Sequence, residues 1–273
     1  MASLREIKDH IGSVQSTLKI TSAMKLVSSA KLRKAQQAVE TMRPYQQELE
    51  RILAAVNSLS DSALQDVLSS DSGKGLSAKR WESDTYLLNS KLAIVAIASN
   101  SSLCGAFNGN VLRKVSELVT QAGGPDSVDV FALGRKVGGT DWNHLVAHPD
   151  YAASQQLSSA LVEAYNAGRY SSVMLVYNHF VSTSSQKVVV ESFLPLSYAG
   201  SEDSPGYYII EPGREAILEE LLPQVIRLKL YAAILDSVAA EHAARMIAMQ
   251  AATDNAEDLL AELSLEYNKG RQA

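Results

Sequence analysis

The sequence predicts an α/β domain inserted between two long helices that pair as an antiparallel coiled coil, a fold class of α/β plus long antiparallel α-helical coiled coil. Three observations predict it. An unbroken heptad repeat runs through the C-terminal segment, a less regular one runs through the N-terminal segment, and strand-like and helix-like stretches alternate between them.

The N-terminal helix spans Ser3 to about Leu59. Leu4, Ile7, Ile11, Val14 and Leu18 are spaced three and four apart, and Ala35, Ala38, Met42, Tyr45, Leu49, Ile52, Val56 and Leu59 resume that spacing. Between them Ala23, Val27 and Ala30 carry the stripe in a shifted register, which predicts a local change of winding. Pro44 lacks a backbone donor and crowds the preceding turn, so a bend is expected there.

The central segment reads differently. Asp61 to Asp84 is rich in Ser, Asp and Gly and predicts a linker. Lys91–Ala98, Ser127–Leu133, Ser172–Asn178 and Val188–Leu194 read as strands, with helical stretches at Asn110–Gln121 and Ser154–Gly168. This alternation predicts a Rossmann-like, mostly parallel sheet with helices on its faces.

The C-terminal helix carries the most regular seam: Leu218, Leu221, Val225, Leu228, Ala232, Leu235, Ala239, His242, Met246, Met249, Thr253, Ala256, Leu260, Leu263 and Tyr267. Only His242 and Thr253 break its apolar character, and Pro223 marks either a kink or the start of the helix. At about 1.5 Å per residue each terminal helix is on the order of 80 Å long, well beyond what a globular core needs. Both helices leave the same central domain, so they pair antiparallel. The expected division is a shaft helix over 1–60, linker and central domain over 61–208, and a second shaft helix over 209–273.

Composition narrows the functional class. Of 273 residues, 46% are hydrophobic and 20% charged, within the range of soluble globular chains. No apolar run reaches the roughly 18 residues of a membrane span, and the first 30 residues, alternating charged and apolar, do not read as a signal peptide. A net charge of -5 gives no indication of nucleic-acid binding. The stretch from Met1 to Gln36 is nonetheless basic, with Arg5, Lys8, Lys19, Lys25, Lys31, Arg33 and Lys34 against Glu6 and Asp9. This leaves open a solvated face or an acidic partner. A single cysteine, Cys104, excludes an internal disulfide.

Three stretches carry a family resemblance: ITSAMKLVSSAKLRKA at Ile20–Ala35, SNSSLCGAFN at Ser99–Asn108, and EHAARMIAMQAATDNA at Glu241–Ala256 followed by YNKGRQA at Tyr267–Ala273. In content, order and spacing the chain resembles the γ subunits of F-type ATP synthases over nearly its whole length. The resemblance implies a central-stalk rotor of a proton-translocating synthase. Its paired helices turn inside a ring of alternating α and β subunits, and its α/β foot binds the ε subunit and sits on the c-ring. It implies a non-catalytic subunit without cofactor or metal, peripheral on the cytoplasmic face of a bacterial inner membrane and not inserted in it.

By the same resemblance Met24, Lys25 and Arg245 lie near acidic loops of the β subunits, and Arg271 and Gln272 engage a catalytic-subunit loop further along the shaft. A guanidinium forks well onto a carboxylate, but Arg245 could equally pair with Glu241 one turn earlier, and Lys25 could be a solvated lysine. Tyr207 and Tyr208 suit either a contact with ε or the c-ring or a core-capping aromatic pair. The run of small residues along both helices suits either a slim shaft or simple helix propensity. The sequence departs from the family pattern at Asn100, Ser101 and Ser102, where an Asp-Arg-Gly is usual. The pattern also extends several helical turns past the position of Ala273, so contacts with the upper sleeve of the ring are not expected from this sequence.

Other chemistries find little support. Ser72-Gly73-Lys74-Gly75 lacks the glycine spacing and Ser/Thr of a phosphate-binding loop. Cys104 has no His or acid nearby in a recognisable motif and reads as structural. His144 and His148 lie four apart, but no third ligand is near and Pro149 follows, so a loop is expected. Two competing functions remain: an enzyme built on the central domain, with Asn100, Ser101, Cys104 and Asn108 at strand ends, and a coiled-coil scaffold unrelated to rotation.

Overall fold

A computed structural model describes residues 4–58, 91–196 and 213–272. Helix α1 spans Leu4–Ser58 and helix α5 spans Arg214–Gln272. Between them come β1 (Lys91–Ile97), α2 (Phe107–Gln121), β2 (Val128–Leu133), the short α3 (Asn143–Ala147), α4 (Tyr151–Asn166), β3 (Tyr170–Ser182) and β4 (Ser185–Leu194). The expected linker at Asp61–Asp84 lies outside the described residues.

The sheet order is β2-β1-β3-β4. Strands β1, β2 and β3 run parallel, and β4 returns antiparallel to β3. Strand β1 is buried on both sides, which explains its continuous apolar run. Ile94 and Ala96 face α2 through Val111, Val115 and Leu118. Ala93, Val95 and Ile97 face the opposite layer, where Leu157 and Leu161 of α4 and Ile226, Leu230, Ala233 and Ile234 of α5 close the core. The α/β domain is thus a three-layer sandwich, and the shaft helix α5 forms part of one layer.

Helices α1 and α5 form the most extensive interface between elements. They run antiparallel. Ile7 and Val14 pack with Ala256 and Leu263 at the tip, and Leu49, Leu53 and Val56 pack with Leu218, Val225 and Leu228 at the base. The expected register shift is absent. Ala23 and Ala30 are exposed and Val27 is 56% exposed, while Thr21 and Ser28 are buried in their place. The seam Ile7, Val14, Thr21, Ser28, Ala35, Met42, Leu49, Val56 therefore keeps a strict seven-residue spacing, and small hydroxyl residues carry it where apolar ones are missing.

Both prolines lie within their helices: α1 continues through Pro44, and Pro223 sits inside α5, which excludes it as the helix start. Pro44 is exposed, so the carbonyl it leaves without a helical donor can turn to water. His144 belongs to the helical turn α3 rather than to a loop.

Candidate functional site

The residues singled out from the sequence fall in two regions of the shaft. Met24 and Lys25 are half-buried on α1. Thr253 of α5 lies opposite Thr21 of α1, so Met24, Lys25 and Arg245 share one section of the paired helices. Arg271 and Gln272 are exposed at the far end of α5, a helical separation of about 40 Å from Arg245. Tyr207 and Tyr208 lie outside the described residues.

Arg245 is turned inward. Its Nη1 donates to Glu241 Oε1 at 2.6 Å, one helical turn earlier. Its Nη2 donates to Ser101 Oγ at 2.8 Å and approaches the carbonyls of Ser101 and Ser102 at 3.5 Å each. Only 9% of Arg245 is exposed. Burial pushes the Glu241 carboxyl up from its ordinary value, and the cations of Arg245 and Lys31 oppose that shift. The intrahelical pairing with Glu241 was legible from spacing; the capture by the loop after β1 was not. A signal for it existed, since a run of three polar residues at the end of a buried strand must find partners.

That loop is closely tied. Ser99 Oγ donates to the Ser101 carbonyl at 2.6 Å, Asn108 Oδ1 accepts from the Ser99 N–H at 3.0 Å, and Asn108 Nδ2 donates to Cys104 Sγ at 3.1 Å. Asn100 Nδ2 donates to the Asn143 carbonyl at 2.8 Å. Cys104 and Phe107 pack on Ala240 of α5. Every strand-end residue that an enzyme on this domain would need is engaged in holding the loop. Leu103 is the loop's exposed large apolar side chain, 57% exposed and at φ 65°.

A second polar cluster lies where α5 crosses β3 and β4. His179 Nδ1 meets Asp236 Oδ2 at 2.5 Å, and the Phe180 N–H donates to Asp236 Oδ1 at 3.2 Å. Lys229 Nζ donates to the Ser192 carbonyl at 2.7 Å and lies 3.1 Å from Glu191 Oε1. Glu191 Oε2 accepts from the Tyr177 hydroxyl at 3.1 Å. A cavity of about 250 Å³ opens beside these groups, walled on the α1 side by Met42, Arg43 and Glu50. Burial raises the Asp236 carboxyl above its ordinary value, chiefly against the pull of His179.

On the outer face of the shaft the chain presents apolar surface. Ile20, Leu26 and Val27 are 60%, 69% and 56% exposed, and Ala23, Ser29 and Ala30 are exposed along the same stretch. No group of three or more potential metal ligands forms among the described residues, and none of their helices is long and apolar enough to cross a membrane.

Comparison with known proteins places this geometry. The family model described as ATP synthase matches residues 3–273. The ATP synthase gamma chain of Phocaeicola vulgatus is 40% identical over 291 residues, covering 100% of this chain and 94% of the relative. That of Flavobacterium johnsoniae is 40% identical over 286 residues with the same coverage. Among solved structures, the rotor of the Euglena gracilis mitochondrial ATP synthase superposes with a TM-score of 0.60 at 17% identity, covering 98% of this chain and 97% of that one. The central stalk and c-ring structure of the Tetrahymena thermophila mitochondrial enzyme gives 0.55 at 23% identity, covering 85% of this chain and 99% of that one. These likenesses show the fold of a central stalk, and with relatives this similar over its full length, the chain belongs to the ATP synthase gamma chain family.

Proposed function

We propose that this chain is the central-stalk rotor of a proton-translocating F-type ATP synthase. It carries torque between a membrane c-ring and a catalytic ring of α and β subunits, and it performs no chemistry of its own. One observation supports this above all: a helix pair on the order of 80 Å long whose outer face leaves Ile20, Leu26 and Val27 in water. Apolar surface of this kind is stable in a soluble chain when something encloses it. A slim shaft lined by alanine and serine can turn inside an enclosure without a deep energy minimum at any one angle.

In this reading the α/β domain is the foot, which seats on the c-ring and binds ε, with Tyr207 and Tyr208 at that contact. The working division is 1–60, 61–208 and 209–273. Met24 and Lys25 face acidic loops of the β subunits, and Arg271 and Gln272 engage the ring nearer the tip. Arg245 takes its place beside those loops with Nη1 held on Glu241 and Nη2 on Ser101, so it supports the ring-facing section from within the chain. The subunit is peripheral, on the cytoplasmic face of a bacterial inner membrane.

The test is co-expression with the α and β subunits of the same organism, followed by rotation of a bead fixed to the foot during ATP hydrolysis. Stepwise rotation in one direction is the expected result. Failure to form any complex overturns the reading in favour of a coiled-coil scaffold.

A further inference from the structure

The foot must not turn on its own shaft, and the contact that prevents it is narrow. The sheet's core meets α5 along a stripe of Ile226, Leu230, Ala233 and Ile234, continued by Ala240 under the loop after β1, while among the described residues α1 contributes only Leu32 and Ala35 to the same cores. Torque between foot and shaft therefore passes mainly through α5. Packing along one apolar stripe resists separation strongly and rolling weakly, because dispersion contacts are non-directional.

The polar side chains that leave α5 for the foot flank this stripe on both sides. At 100° per residue, Lys229 and Asp236 lie roughly 70–90° to one side of its centre, and Glu241 and Arg245 lie roughly 50–90° to the other. Three of the four reach the sheet, each at a different strand or the loop that follows it. Lys229 holds Ser192 and Glu191 at the end of β4, and Asp236 holds His179 and the Phe180 N–H on β3. Arg245, braced by Glu241, holds Ser101 in the loop that follows β1. Three of the four strands are thus tied to one helix from two opposite flanks, by charge-assisted bonds whose strength depends on direction.

We infer that Lys229, Asp236 and the Arg245–Ser101 contact form an anti-roll joint, which fixes the angle of the foot about α5 and sets the torsional stiffness of the rotor. They are positioning residues. Rolling either way lengthens the bonds on one flank, so the two flanks act in opposition, as guy-lines do.

The inference rests on the rotor reading, and the test separates the two. The assembled α, β and γ complex is prepared with a cysteine at the exposed Glu163 of the foot to carry the bead, and angular variance is measured during catalytic pauses. Asp236→Ala and Ser101→Ala each raise that variance by about twofold, and the double variant raises it further than either alone, because the two restraints act side by side on the same angle. Hydrolysis at low load stays unchanged. Asp236→Asn, which keeps an acceptor for the Phe180 N–H, restores part of the stiffness. Unchanged variance in Asp236→Ala and Ser101→Ala, in complexes that rotate, overturns the joint and leaves the rotor reading intact, even if both variants melt at lower temperature. Absence of rotation in the unmodified complex overturns the rotor reading first.

Discussion

Thr253 Oγ1 of α5 lies 3.0 Å from Thr21 Oγ1 of α1, a buried hydroxyl pair at the middle of a coiled-coil seam. Each hydroxyl also has a backbone carbonyl of its own helix in reach, Leu18 for Thr21 at 3.1 Å and Met249 for Thr253 at 2.8 Å. A polar pair in an apolar seam costs stability and specifies register, because sliding by one heptad either way would set the Thr21 hydroxyl against Leu260 or Met246 in place of Thr253. Thr253→Val is expected to cost about 1 kcal/mol, and the double change with Thr21→Val to recover most of it. A double-mutant cycle on thermal melts followed by circular dichroism measures the coupling; additive losses would show that the pair acts as two independent residues.

Arg245→Ala leaves the Glu241 carboxylate buried without its nearest cation. Loss of one partner of a buried pair costs about 3–5 kcal/mol. Arg245→Met with Glu241→Gln removes both charges and is expected to cost far less. Chemical denaturation of the three chains side by side distinguishes these outcomes.

His242 sits in the same seam, its Nδ1 buried without a hydrogen-bond partner. Burial, aided by Arg245 and Lys31, pushes its pKa down from 6.5 to about 4. The unfolded chain therefore binds the proton more readily than the folded one between those values. The stability tied to neutral His242 is complete above pH 6.5, falls as pH drops towards 4, and changes no further below that, roughly 3 kcal/mol in all. The raised carboxyls of Asp236 and Glu241 act in the opposite sense, so the comparison is with His242→Leu. Relative to that variant the natural chain should weaken by this amount between pH 7 and pH 4 in urea titrations; parallel curves would contradict it.

Gly134 and Gly138 both hold positive φ, at 111° and 85°. A Cβ on Gly134 would stand 2.2 Å from the Ala98 carbonyl oxygen, whereas one on Gly138 meets open space. Gly138→Ala is expected to cost the left-handed conformation alone, about 1–2 kcal/mol. Gly134→Ala must also part β1 from the loop after β2, and soluble yield should collapse for that variant only.

Leu26→Glu and Val27→Glu change residues that touch little within the chain. The helix pair should keep its melting temperature within about 0.5 kcal/mol of equivalent stability. Recovery of the complex with α and β subunits on gel filtration should fall at least about tenfold, because the new carboxylates would be buried against the enclosing ring.

The architecture was largely legible because its signals are periodic. Heptads set the helix pair, and the apolar runs at Lys91, Ser127, Ser172 and Val188 set the four strands. The seam was misread around Ala23, Val27 and Ala30 because a search for apolar residues passes over Thr21 and Ser28, which occupy the heptad positions with hydroxyls satisfied by their own helix. A search by spacing alone would have found them. The fastening of foot to shaft was not legible: Arg245 and Ser101 are 144 residues apart, and no local pattern links a helix residue to a loop so far away in sequence.

The antiparallel pairing of α1 with α5 also dictates the order in which the molecule can be completed. Ile7 and Val14 find their partners in Ala256 and Leu263, so the first helix made must wait for the last. At roughly 5–20 residues per second of synthesis, α1 spends on the order of tens of seconds with its seam uncovered, while the α/β domain between can close on local contacts. The tip of the shaft, where Leu4 lies beside Gly270, is assembled late. During that interval the nascent chain is most in need of a chaperone and most open to a neighbour's helix in place of its own.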